Sequence, residues 1–137
     1  MDLFARKIIA HSLSYRNDNA LTIDTFNKAF ESRNCPKELA FHSDQGANYT
    51  STEYITLLKS LKVDQSFSKR GTPYDNAVIE SFFSNMKRDD LNTRRFDSLE
   101  ELGFAVASYV NHYNSYRPHA SLAFKRPIKQ NTSTFNV

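Results

Sequence analysis

Apolar residues recur at helical spacing in four stretches of this chain, and three short apolar runs lie between or before them. From roughly Leu21 to Arg33, the residues Ile23, Phe26, Ala29 and Phe30 fall on one helical face, and Pro36 closes the region. Tyr54, Leu57, Leu58 and Leu61 repeat the pattern behind two good N-cap residues, Ser51 and Thr52. Ile79, Phe82, Phe83 and Met86 make a third stripe, on a helix that Asp75 is placed to cap. The fourth uses Leu102, Val106, Tyr109, Val110 and Tyr113, begins near Leu99 and ends before Pro118. Lys7 to Ser14 (KIIAHSLS), Leu39 to His42 and Val63 to Ser68 read as short strands. Asp2 to Arg6 reads as the turn of a hairpin. Gly71-Thr72-Pro73-Tyr74 reads as a loop, and the polar residues after Gln130 as a frayed end.

The predicted order is strand, helix, strand, helix, strand, helix, helix. That order implies an α/β fold, with a buried parallel sheet flanked by amphipathic helices. No internal repeat, low-complexity stretch or domain boundary is evident.

Composition narrows the class without naming a function. With 137 residues, 39% of them hydrophobic, the chain can bury a core and is not of disordered composition. It has no apolar run long enough for a membrane span, and its start lacks the layout of a signal peptide. Cys35 stands alone, which excludes a disulfide framework and a cysteine zinc site and suits a reducing cytoplasm. Such a cysteine is expected to be a small core residue. Net charge is +3, from 18 basic and 15 acidic residues, too mild to establish nucleic-acid binding. The end is more cationic: no acid follows Glu101, whereas Arg117, Lys125, Arg126 and Lys129 do.

Two carboxylates stand out by position. Asp44 follows a predicted strand and precedes Gly46, and sites in open α/β sheets form at the carboxyl ends of strands. An Asx-turn that stabilises the connection explains the same residue. Glu80 lies 35 residues further on, counting those between, early in its helix. There a surface glutamate favoured by the helix dipole is the ordinary reading. Lys87 is seven residues later, close to two turns, hence near the same face. The sharper reading joins the acids through chemistry. In-line phosphoryl transfer uses two Mg²⁺ ions roughly 3.5–4 Å apart, and Mg²⁺ takes oxygen ligands. His42 lacks a paired ligand spacing and is not expected to bind metal. Arg117-Pro118-His119 is open between a phosphate contact and a basic helix-terminating turn.

Taken together, several motifs resemble the integrase catalytic core of insertion-sequence transposases of the IS3 type, enzymes of the DDE class. The resemblance runs from Asp2 to about Lys129. It rests on Asp2-Leu3-Phe4-Ala5-Arg6-Lys7-Ile8-Ile9, on His42-Ser43-Asp44-Gln45-Gly46 with Tyr49-Thr50-Ser51, and on Ser68 to Ala77 followed by Glu80-Ser81-Phe82-Phe83. Lys87, Tyr113-Asn114, Arg117-Pro118-His119, Leu122 and Pro127 complete it. The resemblance implies a ribonuclease H-like α/β fold with helices flanking a mixed sheet, a core over residues 1–129 and a polar tail over 130–137. It implies Asp44 and Glu80 as catalytic, metal-binding carboxylates, with Lys69, Arg70 and Lys87 on DNA. Mg²⁺ or Mn²⁺ would be the cofactor. DNA would be the partner, with self-association or pairing to full-length transposase, in a bacterial cytoplasm at the nucleoid and away from membranes.

In the family, the first catalytic Asp precedes the hairpin that Asp2 begins. The expectation is therefore an incomplete fold without its first two strands, inactive in strand transfer by itself. The alternative from another class is a non-catalytic remnant that binds DNA or full-length transposase.

Overall fold

The computed structural model describes residues 1–69 and 76–127. The chain forms two compact units, Ala10–Ala77 and Met1–Ile9 with Val78–Val137.

The first unit is a strand–helix–strand arrangement preceded by a helix. Helix α1 spans Asn19–Ser32, strand β1 Leu39–Ser43, helix α2 Thr52–Ser60 and strand β2 Val63–Phe67. The strands are parallel, in register from Leu39 opposite Val63 to Ser43 opposite Phe67. A parallel pair needs a crossover, and α2 supplies it. The caps are local chemistry. Asp18 Oδ1 accepts the Leu21 N–H at 3.0 Å, and Ser51 Oγ accepts the Tyr54 N–H at 3.2 Å. Helix α1 ends before Pro36: Asn34 and Cys35 turn into the left-handed region at φ 58° and 50°, and Cys35 N–H closes on the Phe30 carbonyl at 3.0 Å. Cys35 is exposed there, which corrects the expectation of a core cysteine. It lies in the turn that ends α1, past the packed face of the helix that carries Phe26 and Phe30.

The core of this unit gathers Phe26, Phe30, Tyr54, Leu58 and Val63, with Phe41, Tyr49 and Leu57 partly buried against them. Tyr54 is its centre: its ring lies 6.0 Å from that of Phe26, 5.8 Å from Phe41 and 5.5 Å from Tyr49. The expected stripes on α1 and α2 are the faces that pack here. Leu58 is 1% exposed, so Leu58→Ala is expected to cost about 2–5 kcal/mol in chemical denaturation. A loss below about 1 kcal/mol would show that the site collapses freely.

The second unit holds helix α3, Ala77–Asp89, and helix α4, Leu99–Ser115. Short 3₁₀ turns at Leu91–Thr93 and Ala120–Leu122, which periodicity does not predict, follow each helix. Its core is Ile8, Phe82, Met86, Val106, Tyr109, Val110 and Tyr113, joined by Met1, Ile79, Leu91 and Leu102. Phe82 meets Tyr113 edge-on, ring centres 4.8 Å apart. Phe83, expected in the buried stripe, is 47% exposed. One residue past Phe82 rotates it about 100° around the helix, and its ring meets that of Phe82 edge-on with centres 5.5 Å apart.

The turn at the start is as expected. Asp2 Oδ1 accepts the N–H groups of Phe4 and Ala5, each at 2.9 Å, and Asp2 N–H bonds the Lys7 carbonyl at 2.8 Å. The strand expected over Lys7 to Ser14 is corrected. Lys7 makes an isolated antiparallel bridge to Asp2, and residues 8–14 have no regular structure. Ile8 explains part of this. Its N–H donates to Asn114 Oδ1 and its carbonyl accepts from Asn114 Nδ2, both at 2.9 Å. A buried side-chain amide on α4 occupies the groups that a neighbouring strand would pair.

The α/β class therefore stands. Among the described residues the sheet consists of β1 and β2 and is parallel. The expected mixed sheet is represented only by isolated antiparallel bridges, Asp2 with Lys7 and His119 with Lys125. No described helix is long and apolar enough to cross a membrane.

Candidate functional site

Asp44 leaves the carboxyl end of β1, and Lys69 follows the same end of β2 two residues after Phe67. Both are exposed. The Asx-turn reading of Asp44 is correct: Oδ1 accepts the Gly46 N–H at 2.9 Å. That does not use up the carboxylate, because Oδ2 has no hydrogen-bond partner among the described residues. Gly46 is required by this seat. A Cβ there would stand 2.9 Å from Asp44 Oδ1, so any side chain displaces the carboxylate.

The loop after Asp44 is pinned from β2. Gln65 Nε2 donates to the Tyr49 carbonyl at 2.9 Å, and Gln45 Nε2 donates to the Ser68 carbonyl at 3.0 Å. Burial, and after it the Asp44 charge, pushes the Tyr49 phenol above its ordinary value, so it stays neutral beside the acid. His42 is engaged at both ring nitrogens, Nδ1 with Ser66 Oγ at 2.8 Å and Nε2 with Ser68 Oγ at 3.0 Å. Both of its ring nitrogens thus lie against serine hydroxyls of the neighbouring strand and the residue after it. Gln65 and Ser66 were not singled out by sequence reasoning, and Gln45 and Ser68 only as members of the family motifs. The available signal was the alternation of Ser66 and Ser68 in a strand expected to be buried.

Glu80 lies in the first turn of α3 and Lys87 in its last, both exposed. Their seven-residue separation puts them near one face, two turns apart. Neither makes a hydrogen bond or ion pair among the described residues. Asp44 belongs to the first unit and Glu80 to the second. Arg70 and the Asp75 cap lie outside the described residues. Among the described residues no three acidic, histidine or cysteine side chains converge on one point. As donors, exposed carboxylates on element ends suit a hard divalent cation.

Arg117 has internal partners. Its Nη1 donates to Asp89 Oδ2 at 3.2 Å and to the Tyr109 hydroxyl at 2.9 Å. These bonds favour the structural reading of Arg117-Pro118-His119. His119 stacks edge-on to Tyr113, ring centres 4.6 Å apart, and burial, then Arg117 and Arg6, lower its pKa.

The integrase core domain family matches residues 1–73, more than half of the chain, and a second description of that domain matches residues 61–127. The chain belongs to the integrase core family. Among sequences, it is 36% identical over 128 residues to the transposase for insertion sequence element IS904 of Lactococcus lactis, covering 93% of this chain and 51% of that protein. It is 34% identical over 121 residues to transposase InsF for insertion sequence IS3A of Escherichia coli (strain K12), covering 88% and 42%. This integrase core thus spans about half the length of those relatives, and the IS3-type resemblance is borne out. Among solved structures, the catalytic core domain of BIV integrase superposes with a TM-score of 0.67 at 17% identity, covering 91% of this chain and 77% of that one. The fold is accordingly the ribonuclease H-like fold of retroviral integrase cores.

Proposed function

We propose that these residues are part of the catalytic core of an enzyme that cleaves and joins DNA to move an insertion sequence. The similarity to the IS904 transposase over 93% of the chain carries the reading. The position of Asp44 supports it, an exposed carboxylate at the carboxyl end of a parallel strand with one oxygen that no described residue bonds.

Asp44 and Glu80 would hold divalent ions, Mg²⁺ or Mn²⁺ in its place. Such ions, when bound, activate the attacking oxygen and stabilise the leaving one in phosphodiester displacement. Within the protein, the Gly46 N–H holds Asp44 Oδ1 in the Asx-turn, and Oδ2 is not bonded by any described residue. Glu80 would present its carboxylate from the first turn of α3. Lys69, Arg70 and Lys87 would meet phosphate oxygens, contacts that position DNA without reading its sequence. The partners are DNA and further copies of a transposase chain, in the cytoplasm. The test is metal-dependent cleavage and joining of labelled duplexes by a full-length transposase of the family that carries these residues. Activity that is indifferent to chelation of divalent ions would sink the reading.

Binding to DNA is expected to be salt-sensitive and nearly independent of sequence. Three phosphate contacts correspond to a slope of log affinity against log salt of roughly −3. Lys87→Ala should lower the magnitude of that slope by about 1 and weaken matched and scrambled duplexes alike. An unchanged slope would remove Lys87 from the interface.

A further inference from the structure

The residues on either side of Asp44 make hydrogen bonds that converge on one residue outside its own motif, Ser68. The Ser68 N–H donates to the Ser43 carbonyl at 2.9 Å, which extends the parallel ladder past the end of β2. Ser68 Oγ donates to the same carbonyl at 3.4 Å. Its own carbonyl accepts from Gln45 Nε2, and its Oγ lies 3.0 Å from His42 Nε2. Residues 42, 43 and 45, on both sides of Asp44, are thus tied to a single buried serine. Ser43 Oγ adds a bond to the Asp44 carbonyl at 2.9 Å.

The donors can be ordered. A hydroxyl has one proton, and the assignment that uses every contact gives that of Ser68 to the Ser43 carbonyl, a long bond at 3.4 Å. Ser68 Oγ must then accept from His42, so Nε2 carries the ring proton. Nδ1 is left as an acceptor and receives the Ser66 hydroxyl at 2.8 Å. The result is a one-directional chain from Ser66 through His42 and Ser68 to the backbone beside Asp44.

We propose that His42, Ser68 and Gln45 are positioning residues that hold Asp44 at the angle a metal ion requires, with Ser68 at the junction. This rests on the reading of Asp44 as a metal ligand. Its geometry is independent of that reading, because every bond in it joins β1, β2 and the segments that follow them. Alone, Asp44 follows a five-residue strand on the way into a loop, and among the described residues its side chain is anchored by Gly46 only. Residues that orient a ligating group change metal affinity by about 10–100-fold without touching the ion.

The experiment uses the 137-residue chain, wild type and Ser68→Ala, Ser68→Thr, Gln45→Ala and Asp44→Asn. Without metal, nitrogen-detected NMR of the imidazole at about pH 8, where an ordinary histidine is neutral, is expected to show His42 protonated at Nε2. The Gly46 amide is expected to be protected from exchange. Ser68→Ala should abolish the fixed tautomer and speed Gly46 exchange about tenfold, and Ser68→Thr should restore both because it keeps the hydroxyl. Should Ser68→Ala fail to fold, Gln45→Ala at an exposed position is expected to speed Gly46 exchange by itself. A proton on Nδ1, or Gly46 exchange untouched by both alanine variants, overturns the proposal.

The second arm titrates Mn²⁺ by solvent relaxation. Asp44→Asn should remove binding, and Ser68→Ala should weaken it about tenfold or more. Binding that is lost in Asp44→Asn but unchanged in Ser68→Ala overturns the positioning role and leaves the metal reading standing. No Asp44-dependent binding overturns the metal reading, and the metal-free arm then decides the clamp.

Discussion

Glu80→Gln, in these residues carried within a full-length transposase of the family, is expected to lower metal-dependent DNA joining by roughly 100-fold or more. A metal ion contributes several kcal/mol to the transition state of phosphoryl transfer, and each 1.36 kcal/mol is a factor of ten in rate. The amide keeps the shape of the side chain and removes the charge that would hold the ion. Glu80 is exposed in the first turn of α3 and packs into no core, so the fold should barely respond. The expected cost to stability is the lost interaction with the helix dipole, about 0.3–1 kcal/mol. Asp44→Asn should behave alike, since asparagine still accepts the Gly46 N–H through its side-chain oxygen. The measurement is joining of labelled duplex ends beside a thermal melt of each variant. Joining at wild-type rates with a slightly lowered melting temperature would return both residues to their ordinary structural roles.

Asn114→Leu is expected to cost roughly 2–6 kcal/mol, enough to unfold a marginal domain. Asn114 is buried and answers both backbone groups of Ile8, 106 residues away. Leucine is close in volume, so the loss is chemical: one N–H and one carbonyl are left without partners, each worth roughly 1–3 kcal/mol. Asn114→Asp separates the two halves. The carboxylate still accepts from Ile8 N–H but faces the Ile8 carbonyl with a second acceptor, so it should be damaging as well. Denaturant midpoints of the three chains decide the matter. A leucine variant within about 0.5 kcal/mol of wild type, the range of an ordinary surface change, would show that water or a shifted Ile8 replaces the amide.

The sequence alone determined what is encoded within a turn or two of chain. Tyr54 and Leu58 are four apart, so their burial on one face of α2 is a property of the helix, and the Ser51 cap lies three residues from the amide it accepts. The Asp44 turn is equally local, because its donor is two residues on. The motifs around Asp44 and Glu80 carried the family for the same reason: each is a short run of side chains whose spacing is legible without a fold.

Tertiary structure decided which distant groups meet. KIIAHSLS has the propensity of a strand, but pairing is not a property of the segment, and at Ile8 an amide from α4 takes the partner's place. Phe83 belongs to an apolar run by composition and to solvent by rotation about α3. The attachment of the Asp44 segment to Ser68 spans 23 to 26 residues and appears in no local pattern. Polar side chains are the hardest to place from sequence, because a serine or glutamine finds its role only when folding sets a specific acceptor within about 3 Å of it.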